Sequence, residues 1–273
     1  MSTNELPALP TTLVDAGGYR LAITCAGIGS PTVVLDAGMG DTSEIWHQVQ
    51  KAVSQFTRVC SYDRAGRGQS DPGPRPRTSQ TIVSELHILL TRAHIPGPYI
   101  LVGHSFGGLN MRLYASQYPE EVVGLVLVDP ANPDLDLVAL LPPEAPGENQ
   151  GIRQVRHVLK QERQVIGNPE GIDPVESAAQ VRSIASLGIL PLVVLTHTPD
   201  CWIDMLVTEF PGFPQELAIR LERAWQEQQR QLSLLSSCSQ QIIAPHSGHY
   251  IHQEEPEFVV NAIRPMVELV QQL

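Results

Sequence analysis

Strand-like and helix-like segments alternate along the first half of this chain, and this pattern constrains its fold more than any other feature. Short apolar runs, each the size of a strand, occur at 32–35, 58–62, 99–102 and 124–128. Between them lie segments with helical spacing, most clearly Ile82, Leu86, Leu89 and Ala93. Strict alternation requires right-handed crossover connections, so it predicts an α/β fold with a mostly parallel sheet.

The alternation stops after residue 129 and resumes near residue 189. Residues 130–188 contain proline-rich turns and two amphipathic stretches without a strand-like run. Strand-like runs then return at 191–195 and 241–244, and helices are expected over about 215–235 and from about 256. We therefore predict a core made of 1–129 and 189–273, with 130–188 inserted as a helical cap.

The charge balance argues against a nucleic-acid partner. The 273 residues include 18 Lys plus Arg and 29 Asp plus Glu, a net charge of −11. The basic residues are scattered, whereas a nucleic-acid surface needs a clustered basic patch. The apolar runs are also too short to cross a bilayer, so we expect no membrane partner. The oligomeric state cannot be predicted from these features.

Two features favour a cytoplasmic location. Residues 1–7 have neither the basic start nor the apolar stretch of a signal peptide. The cysteines are widely spaced without a C-x-x-C pair, which predicts free thiols in a reducing compartment. They are Cys25, Cys60, Cys201 and Cys238.

A Gly-x-Ser-x-Gly motif lies where a predicted strand meets a predicted helix. It comprises Gly103, His104, Ser105, Phe106 and Gly107. A serine placed on such a sharp turn needs strained backbone angles, and only glycine-sized neighbours avoid a clash there. The start of the following helix offers unpaired N–H groups to an oxyanion. Ser105 is therefore the candidate nucleophile, and a glycine-rich packing turn is the structural alternative.

A serine nucleophile needs a base, and a histidine-rich segment follows the last predicted strand. It contains His246, His249 and His252, of which His249 follows a glycine in a predicted loop. The even spacing of the three could also suit a metal ion. The loop contains glycine and has no convincing carboxylate beside it, so we expect no metal.

The third member of such a site is a carboxylate that orients the imidazole. Asp129 ends the strand at 124–128, and Asp200 lies just past the strand at 191–195. Either residue could instead cap a turn or a helix. Both choices give the same chain order of serine, acid and histidine.

The chain resembles the α/β-hydrolase superfamily, particularly bacterial serine esterase-like members with a helical cap, over about 11–270. The resemblance depends on four segments: 35–39, 62–70, 103–107 and 248–249. It implies an eight-stranded, mostly parallel sheet with helices on both faces. It also implies Ser105 as nucleophile and His249 as base, and it favours Asp200 over Asp129 as the acid.

The same resemblance implies an oxyanion hole made by the backbone N–H groups of Met39 and Phe106. One departure concerns the loop before Met39, where family members usually have His-Gly and this chain has Ala37-Gly38. The backbone donor survives this change, but the imidazole that braces the loop is missing. Asp36, Asp41 or His47 could take its place.

Aromatic residues near these motifs are candidates for a substrate pocket. Trp46, His104 and Trp202 could line an apolar acyl site. Trp46 also suits a helix position in the core, and His104 could pack beneath the site instead.

Together these features predict an enzyme that cleaves a carboxylic ester of a small molecule through an acyl-enzyme, without any cofactor. A lactonase, an amidase and a carbon–carbon bond hydrolase would use the same triad, because specificity depends on the cap. A small-ligand receptor that keeps the hydrolase fold without turnover is the alternative from another class.

Overall fold

An eight-stranded sheet organises the computed structural model, which describes residues 10–165 and 168–272. The prediction for 1–7 lies outside these ranges. The strands are β1 (Thr11–Asp15), β2 (Arg20–Ala26), β3 (Thr32–Asp36), β4 (Val59–Tyr62), β5 (Tyr99–His104), β6 (Val122–Val128), β7 (Leu192–Thr196) and β8 (Ser239–Ile243). Their order across the sheet is β1-β2-β4-β3-β5-β6-β7-β8.

The sheet is mixed, with one antiparallel end. β1 pairs antiparallel with β2 and β2 antiparallel with β4, whereas every later pairing is parallel. The two antiparallel strands form the hairpin at Gly17 and Gly18. The predicted α/β class and mostly parallel eight-stranded sheet are confirmed.

Nine α-helices connect and cover the strands within the described ranges. They are α1 (His47–Val53), α2 (Ser79–Arg92), α3 (Phe106–Gln117), α4 (Gln150–Glu162), α5 (Pro174–Arg182), α6 (Cys201–Glu209), α7 (Gln215–Leu232), α8 (Ile251–Glu254) and α9 (Pro256–Gln271). Short 3-10 turns precede α1 and follow α7. Within these ranges, no helix combines the length and hydropathy needed to span a bilayer.

Apolar side chains fill both faces of the sheet, because strands buried on two sides present alternate residues to each side. On one face, Leu86 of α2 and Met111 of α3 pack against Leu101 and Leu125. The opposite face is covered by α1 and α9, whose apolar stripe includes Ile263. Helices therefore cover both faces, as predicted.

Residues 130–188, the predicted inserted region, contribute to a third apolar cluster. Ile152 and Val155 of α4 pack there with residues of α6 and α7, including Leu206 and Leu221. α5 lies instead against the core, where the Ser177 hydroxyl accepts a hydrogen bond from the Ser79 N–H at 3.0 Å. The division at 130–188 stays a prediction.

The prediction that the four cysteines are free thiols is wrong for two of them. Cys25 on β2 and Cys60 on β4 are partners in the strand register and form a disulfide. These strands are neighbours because β3, which lies between them in sequence, is inserted on the far side of β4. Cys201 and Cys238 are free. The cysteines thus no longer argue for a reducing compartment.

Candidate active site

Ser105 occupies a strained turn between the end of β5 and the start of α3. Its φ and ψ are 51° and −117°, a backbone conformation that non-glycine residues rarely adopt. A Cβ at Gly103 would lie 2.5 Å from the Gly107 carbonyl oxygen. The glycine two residues before the serine is therefore required by the close approach of α3, as the motif predicted.

Gly107 brings the start of α3 against the loop that follows β3. A Cβ at this position would lie 2.5 Å from the Asp36 carbonyl oxygen. Phe106 is the first residue of α3, so its N–H has no acceptor within the helix. In the described part of the chain, no loop or side-chain hydrogen bond uses the N–H of Phe106 or Met39. Both N–H groups are therefore free to donate to a ligand.

A buried arginine braces the loop that carries Met39. Arg64 Nη1 donates to the Ala37 carbonyl at 2.6 Å, and Nη2 donates to the Gly38 carbonyl at 2.5 Å. The same guanidinium pairs with the Asp36 carboxylate at 2.7 Å. Of the three residues considered for the missing imidazole brace, Asp36 takes part in this network, and Arg64 is its centre.

Glu170, from the inserted region, completes this brace. Its carboxylate accepts from Arg64 Nε and Nη2, each at 2.7 Å, and from the Gly40 N–H at 2.7 Å. Burial disfavours the charge of Arg64, but the carboxylates of Glu170 and Asp36 outweigh it and raise the arginine's pKa. The network joins the inserted region to the loop that carries Met39. Arg64 and Glu170 are 106 residues apart, and no local sequence pattern predicted their contact.

The strand register places Asp129 beside Ser105 at the same edge of the sheet. His104 pairs with Val128, and the Ser105 N–H donates to the Val128 carbonyl at 3.1 Å. From this position Asp129 Oδ2 lies 2.6 Å from Nδ1 of His249. The alternative acid of the sequence analysis thus holds the candidate base.

The preference for Asp200 is corrected by this geometry. Asp200 precedes α6 in a left-handed conformation with φ of 71°, and its side chain makes no capping hydrogen bond. Among the described residues, its carboxylate makes no hydrogen bond with His249. The preference for Asp200 depended on its position after β7, and the sequence did not show that the neighbouring strand, β6, ends closer to the imidazole of His249.

Asp129 also holds a second imidazole that the sequence analysis did not single out. His197 Nδ1 lies 2.9 Å from Asp129 Oδ2, and its Nε2 lies 3.2 Å from Oε1 of Glu222 on α7. Trp225 Nε1 donates to the other Asp129 oxygen, Oδ1, at 3.0 Å. The sequence held one clue to this contact: His197 follows β7 just as Asp129 follows β6, and these two strands are paired.

The charges in this cluster stabilise one another. Burial alone would raise the pKa of Asp129, but hydrogen bonds from His197 and His249 lower it below its usual value. Burial would lower the pKa of His197, yet hydrogen bonds with Asp129, Cys201 and Glu222 raise it to about 12. Asp129 is therefore an anion and His197 a cation throughout the neutral range.

His197, Cys201 and Glu222 are also the residues best placed to hold a metal ion. One potential ligand atom of each lies within 4.8 Å of the others. Two carboxylates already satisfy this ring, so the donor set fits an ion pair better than a metal site.

The other histidines of the segment after β8 do not contact Asp129. His252 is fully buried beside Trp46, with their rings 4.4 Å apart, and burial lowers its pKa to about 3. His246 lies on the surface. His104 is buried beneath the site, where its Nε2 lies 3.0 Å from the His249 carbonyl oxygen.

The predicted pocket residues separate into core and site. Trp46 is fully buried in the apolar cluster that α1 and α9 share, so its assignment to a substrate pocket is wrong. His104 is equally enclosed. Trp202 is half-buried, and its ring lies 6.4 Å from that of His249. Of the three candidates, Trp202 alone combines partial exposure with proximity to the candidate base.

The side chains of Ser105 and His249 lie at one end of the sheet without a direct hydrogen bond between them in the described chain. The His249 ring is 4.6 Å from that of His104, the residue before Ser105. Its side chain is 27% exposed, and Nε2 makes no hydrogen bond with the described residues. Contacts between nucleophile and base often tighten only when substrate binds.

Comparison with known proteins places this architecture in a family. The model of the "Alpha/beta hydrolase family" matches residues 33–262. YqjL of Bacillus subtilis is 30% identical over 237 residues, which cover 87% of this chain and 83% of that protein. The chain therefore belongs to the α/β-hydrolase family, and the predicted superfamily and hydrolase class are confirmed.

More distant relatives include enzymes with named activities. Lipase LipV of Mycobacterium tuberculosis is 30% identical over 166 residues, 61% of this chain and 55% of LipV. A thermophilic esterase from Thermogutta terrifontis superposes with a TM-score of 0.64 at 22% identity, covering 96% of this chain and 99% of the esterase. The haloalkane dehalogenase DatA of Agrobacterium tumefaciens gives 0.63 at 18% identity, covering 96% and 97%. At these identities the structures share the fold.

Proposed function

We propose that this protein hydrolyses a carboxylic ester of a small molecule through an acyl-enzyme on Ser105. In this proposal His249 is the general base and Asp129 is the carboxylate that orients it. The observation that carries the proposal is the 2.6 Å contact between His249 Nδ1 and Asp129 Oδ2, with Asp129 next to Ser105 at the sheet edge. This arrangement matches the roles of a Ser-His-Asp triad.

Acylation begins when the Ser105 oxygen attacks the ester carbonyl carbon. His249 Nε2 accepts the hydroxyl proton as the new carbon–oxygen bond forms, and the carbonyl π electrons move onto oxygen. The resulting oxyanion accepts hydrogen bonds from the N–H groups of Met39 and Phe106. Each such donor is typically worth about 3 kcal/mol of transition-state stabilisation. Collapse breaks the bond to the alcohol oxygen, which takes the proton from His249.

Deacylation repeats these steps with water as the nucleophile. His249 accepts a proton from water, the tetrahedral oxyanion forms again, and its collapse releases the acid and returns the proton to Ser105. Asp129 stays ionised throughout, because hydrogen bonds from two imidazoles lower its pKa. Its charge favours the imidazolium form of His249 that exists between the two proton transfers.

In this mechanism Arg64 keeps the proposed oxyanion donors in place. The Arg64 guanidinium binds the carbonyls of Ala37 and Gly38, immediately before Met39. Glu170 attaches this brace to the inserted region 130–188, which we propose as the cap that determines specificity. Trp202, beside His249, is the proposed wall of the acyl site.

We keep a small molecule as the substrate class and the cytoplasm as the proposed location. The Cys25–Cys60 disulfide removes the support that free thiols had given to this location.

Fluorophosphonate labelling and ester turnover test the proposal together. We expect wild-type protein to be labelled and to hydrolyse p-nitrophenyl acetate, and we expect Ser105→Ala to lose both properties. Ser70→Ala is the matched control, because Ser70 lies in a loop outside the site and bonds the backbone carbonyl of Asp63 at 2.6 Å. Labelling and turnover that survive in Ser105→Ala would refute the proposed nucleophile.

The same experiment separates the other activities considered from the sequence. Wild-type protein that resists the probe yet binds small lipophilic ligands would be a receptor on the hydrolase fold. Probe-reactive protein is then assayed against short and long acyl esters, lactones and amides. Faster turnover of lactones or amides than of open-chain esters would replace the proposed substrate class while leaving the triad unchanged.

A further inference from the structure

A buried arginine with no partner marks a second cleft, away from the Ser105 site. Arg112 lies on α3, two helical turns after Ser105, and is only 3% exposed. Its Nε and Nη1 atoms are buried without a hydrogen bond, and no hydrogen bond among the described residues uses its remaining nitrogen. Arg64 and Arg77, the other arginines buried to this degree, each pair with a carboxylate.

An unpaired guanidinium in this position calls for a physical explanation. Moving a charged group out of water is strongly unfavourable unless an opposite charge or hydrogen bonds compensate. Burial lowers the pKa of Arg112 to about 10, so the group is still charged at neutral pH. A buried charge without a protein partner is commonly satisfied by an ion or by water.

A cavity of about 350 Å3 adjoins Arg112. It lies between α3, the segment after β6, α5 and the last turns of α7. Charged and amide side chains line it together with apolar ones, and they include Arg112, Arg182, Asp134, Gln228, Ile184 and Leu232. The volume lies at the lower end of the range of small-molecule pockets.

The charges of the lining favour an anion. Two guanidiniums, of Arg112 and Arg182, face a single carboxylate, that of Asp134. Asp134 is already engaged, because Arg182 Nε lies 2.8 Å from its Oδ1. Asp134 also contributes a favourable charge to Arg112 but makes no hydrogen bond with it. The net charge of the lining is therefore positive, with Arg112 still unpaired.

The cavity also has a neutral hydrogen-bond donor, on α7. The side-chain amide of Gln228 on α7 is half-buried and makes no hydrogen bond with the described residues. Ile184 and Leu232 supply apolar surface nearby. This combination suits a compact anion that accepts hydrogen bonds from one end and can carry a short apolar portion.

We propose that this cavity binds a small oxyanion, a carboxylate or a phosphate, which Arg112 holds by a charge-assisted hydrogen bond and Gln228 assists. Both groups carry the ionised oxygen acceptors that pair best with a guanidinium donor. The site is separate from the ester chemistry proposed for Ser105 and does not depend on it.

Thermal unfolding and calorimetric titration of the full chain test this site, with sodium butyrate and sodium phosphate as separate probes. Sodium chloride at matched ionic strength is the reference. We expect one or both probes to bind one to one and to raise the Tm, by about 5 °C at 100 times Kd. Butyrate alone identifies a carboxylate site, and phosphate alone identifies a phosphate site. Absence of binding by both up to 50 mM, about the weakest useful affinity, overturns the proposal.

Substitutions place the bound anion. Arg112→Met should abolish the shift in Tm without lowering the Tm measured in chloride, because it removes an unpaired buried charge. Arg230→Met is the control, since Arg230 is exposed, lies near Gln228 on α7, and pairs with Glu227 at 2.6 Å. An anion-dependent shift that persists in Arg112→Met would contradict the site.

Gln228→Leu provides a test that does not require Arg112→Met to fold. Loss of a hydrogen bond to a charged ligand should weaken binding by about 10-fold or more. Unchanged affinity in Gln228→Leu, together with a loss of stability in Arg112→Met in chloride, would indicate a purely structural arginine and overturn the proposal.

Discussion

His197 and His249 share one carboxylate oxygen. Nδ1 of His249 lies 2.6 Å from Asp129 Oδ2, and Nδ1 of His197 lies 2.9 Å from the same atom. His197 is enclosed between Asp129 and Glu222, whereas the side chain of His249 is 27% exposed. The proposed acid therefore contacts a buried, charged imidazole in addition to the proposed base.

Replacing His197 should destabilise the fold. His197→Asn leaves the carboxylates of Asp129 and Glu222 buried without their shared cation, so we expect a loss of about 3–5 kcal/mol in the free energy of unfolding. Urea unfolding measures it. His87→Asn is the control, because its partly exposed contact with Glu121 at 3.1 Å should contribute less than about 1 kcal/mol.

The loss should also depend on pH. The pKa of His197 is raised to about 12, from an unfolded value near 6.5. A raised pKa contributes stability that is fully present below the unfolded value and fades as pH rises toward the folded one. The difference between wild type and His197→Asn should therefore be smaller at pH 9 than at pH 6. A difference that grows with pH would contradict an ion-paired His197.

Arg64→Lys should reduce turnover more than substrate binding. A lysine has no fork of donors to hold the carbonyls of Ala37 and Gly38 together with two carboxylates. Displacing the loop that carries Met39 weakens an interaction made in the transition state, so we expect kcat to fall on the order of 100-fold with little change in KM. Steady-state kinetics measure both. Arg20→Lys, at an exposed pair with Asp71, is the control and should retain wild-type kcat.

The disulfide should make stability depend on redox conditions. Cys25 and Cys60 close a segment with a sequence separation of 35, and a loop of this size is worth roughly 2–4 kcal/mol in the free energy of unfolding. Dithiothreitol should lower wild-type stability by that amount and leave a Cys25→Ala, Cys60→Ala double variant unaffected. Thiol titration of the unreduced, unfolded protein should find two free thiols, and four would contradict the pairing.

Local patterns in the sequence identify Ser105 and His249 as candidates, because each lies in a short motif next to a strand end. The turn at Ser105 follows from two glycines whose absent side chains permit the approach of α3. Local sequence patterns could not decide whether Asp129 or Asp200 contacts His249. Both follow strands that end at the same edge, and the distance to His249 depends on how the segment after β8 folds back.

Long-range pairings explain the other differences between prediction and structure. Arg64 and Glu170 are separated by 106 residues, and neither belongs to a pattern that identifies its partner. The cysteines were judged by spacing along the chain, whereas their pairing follows from β2 lying beside β4. The sequence allowed two roles for Trp46, a substrate-pocket wall and a core residue. Its burial against His252 assigns it to the core.

The central claim is that Asp129 orients the base that activates Ser105, and a matched pair of variants tests it most directly. Asp129→Asn and Asp200→Asn are compared by kcat/KM for p-nitrophenyl acetate, with thermal unfolding as the check that both remain folded. We expect Asp129→Asn to lose on the order of 10⁴-fold and Asp200→Asn to match wild type. A folded Asp129→Asn that retains activity, with the loss confined to Asp200→Asn, would contradict the account.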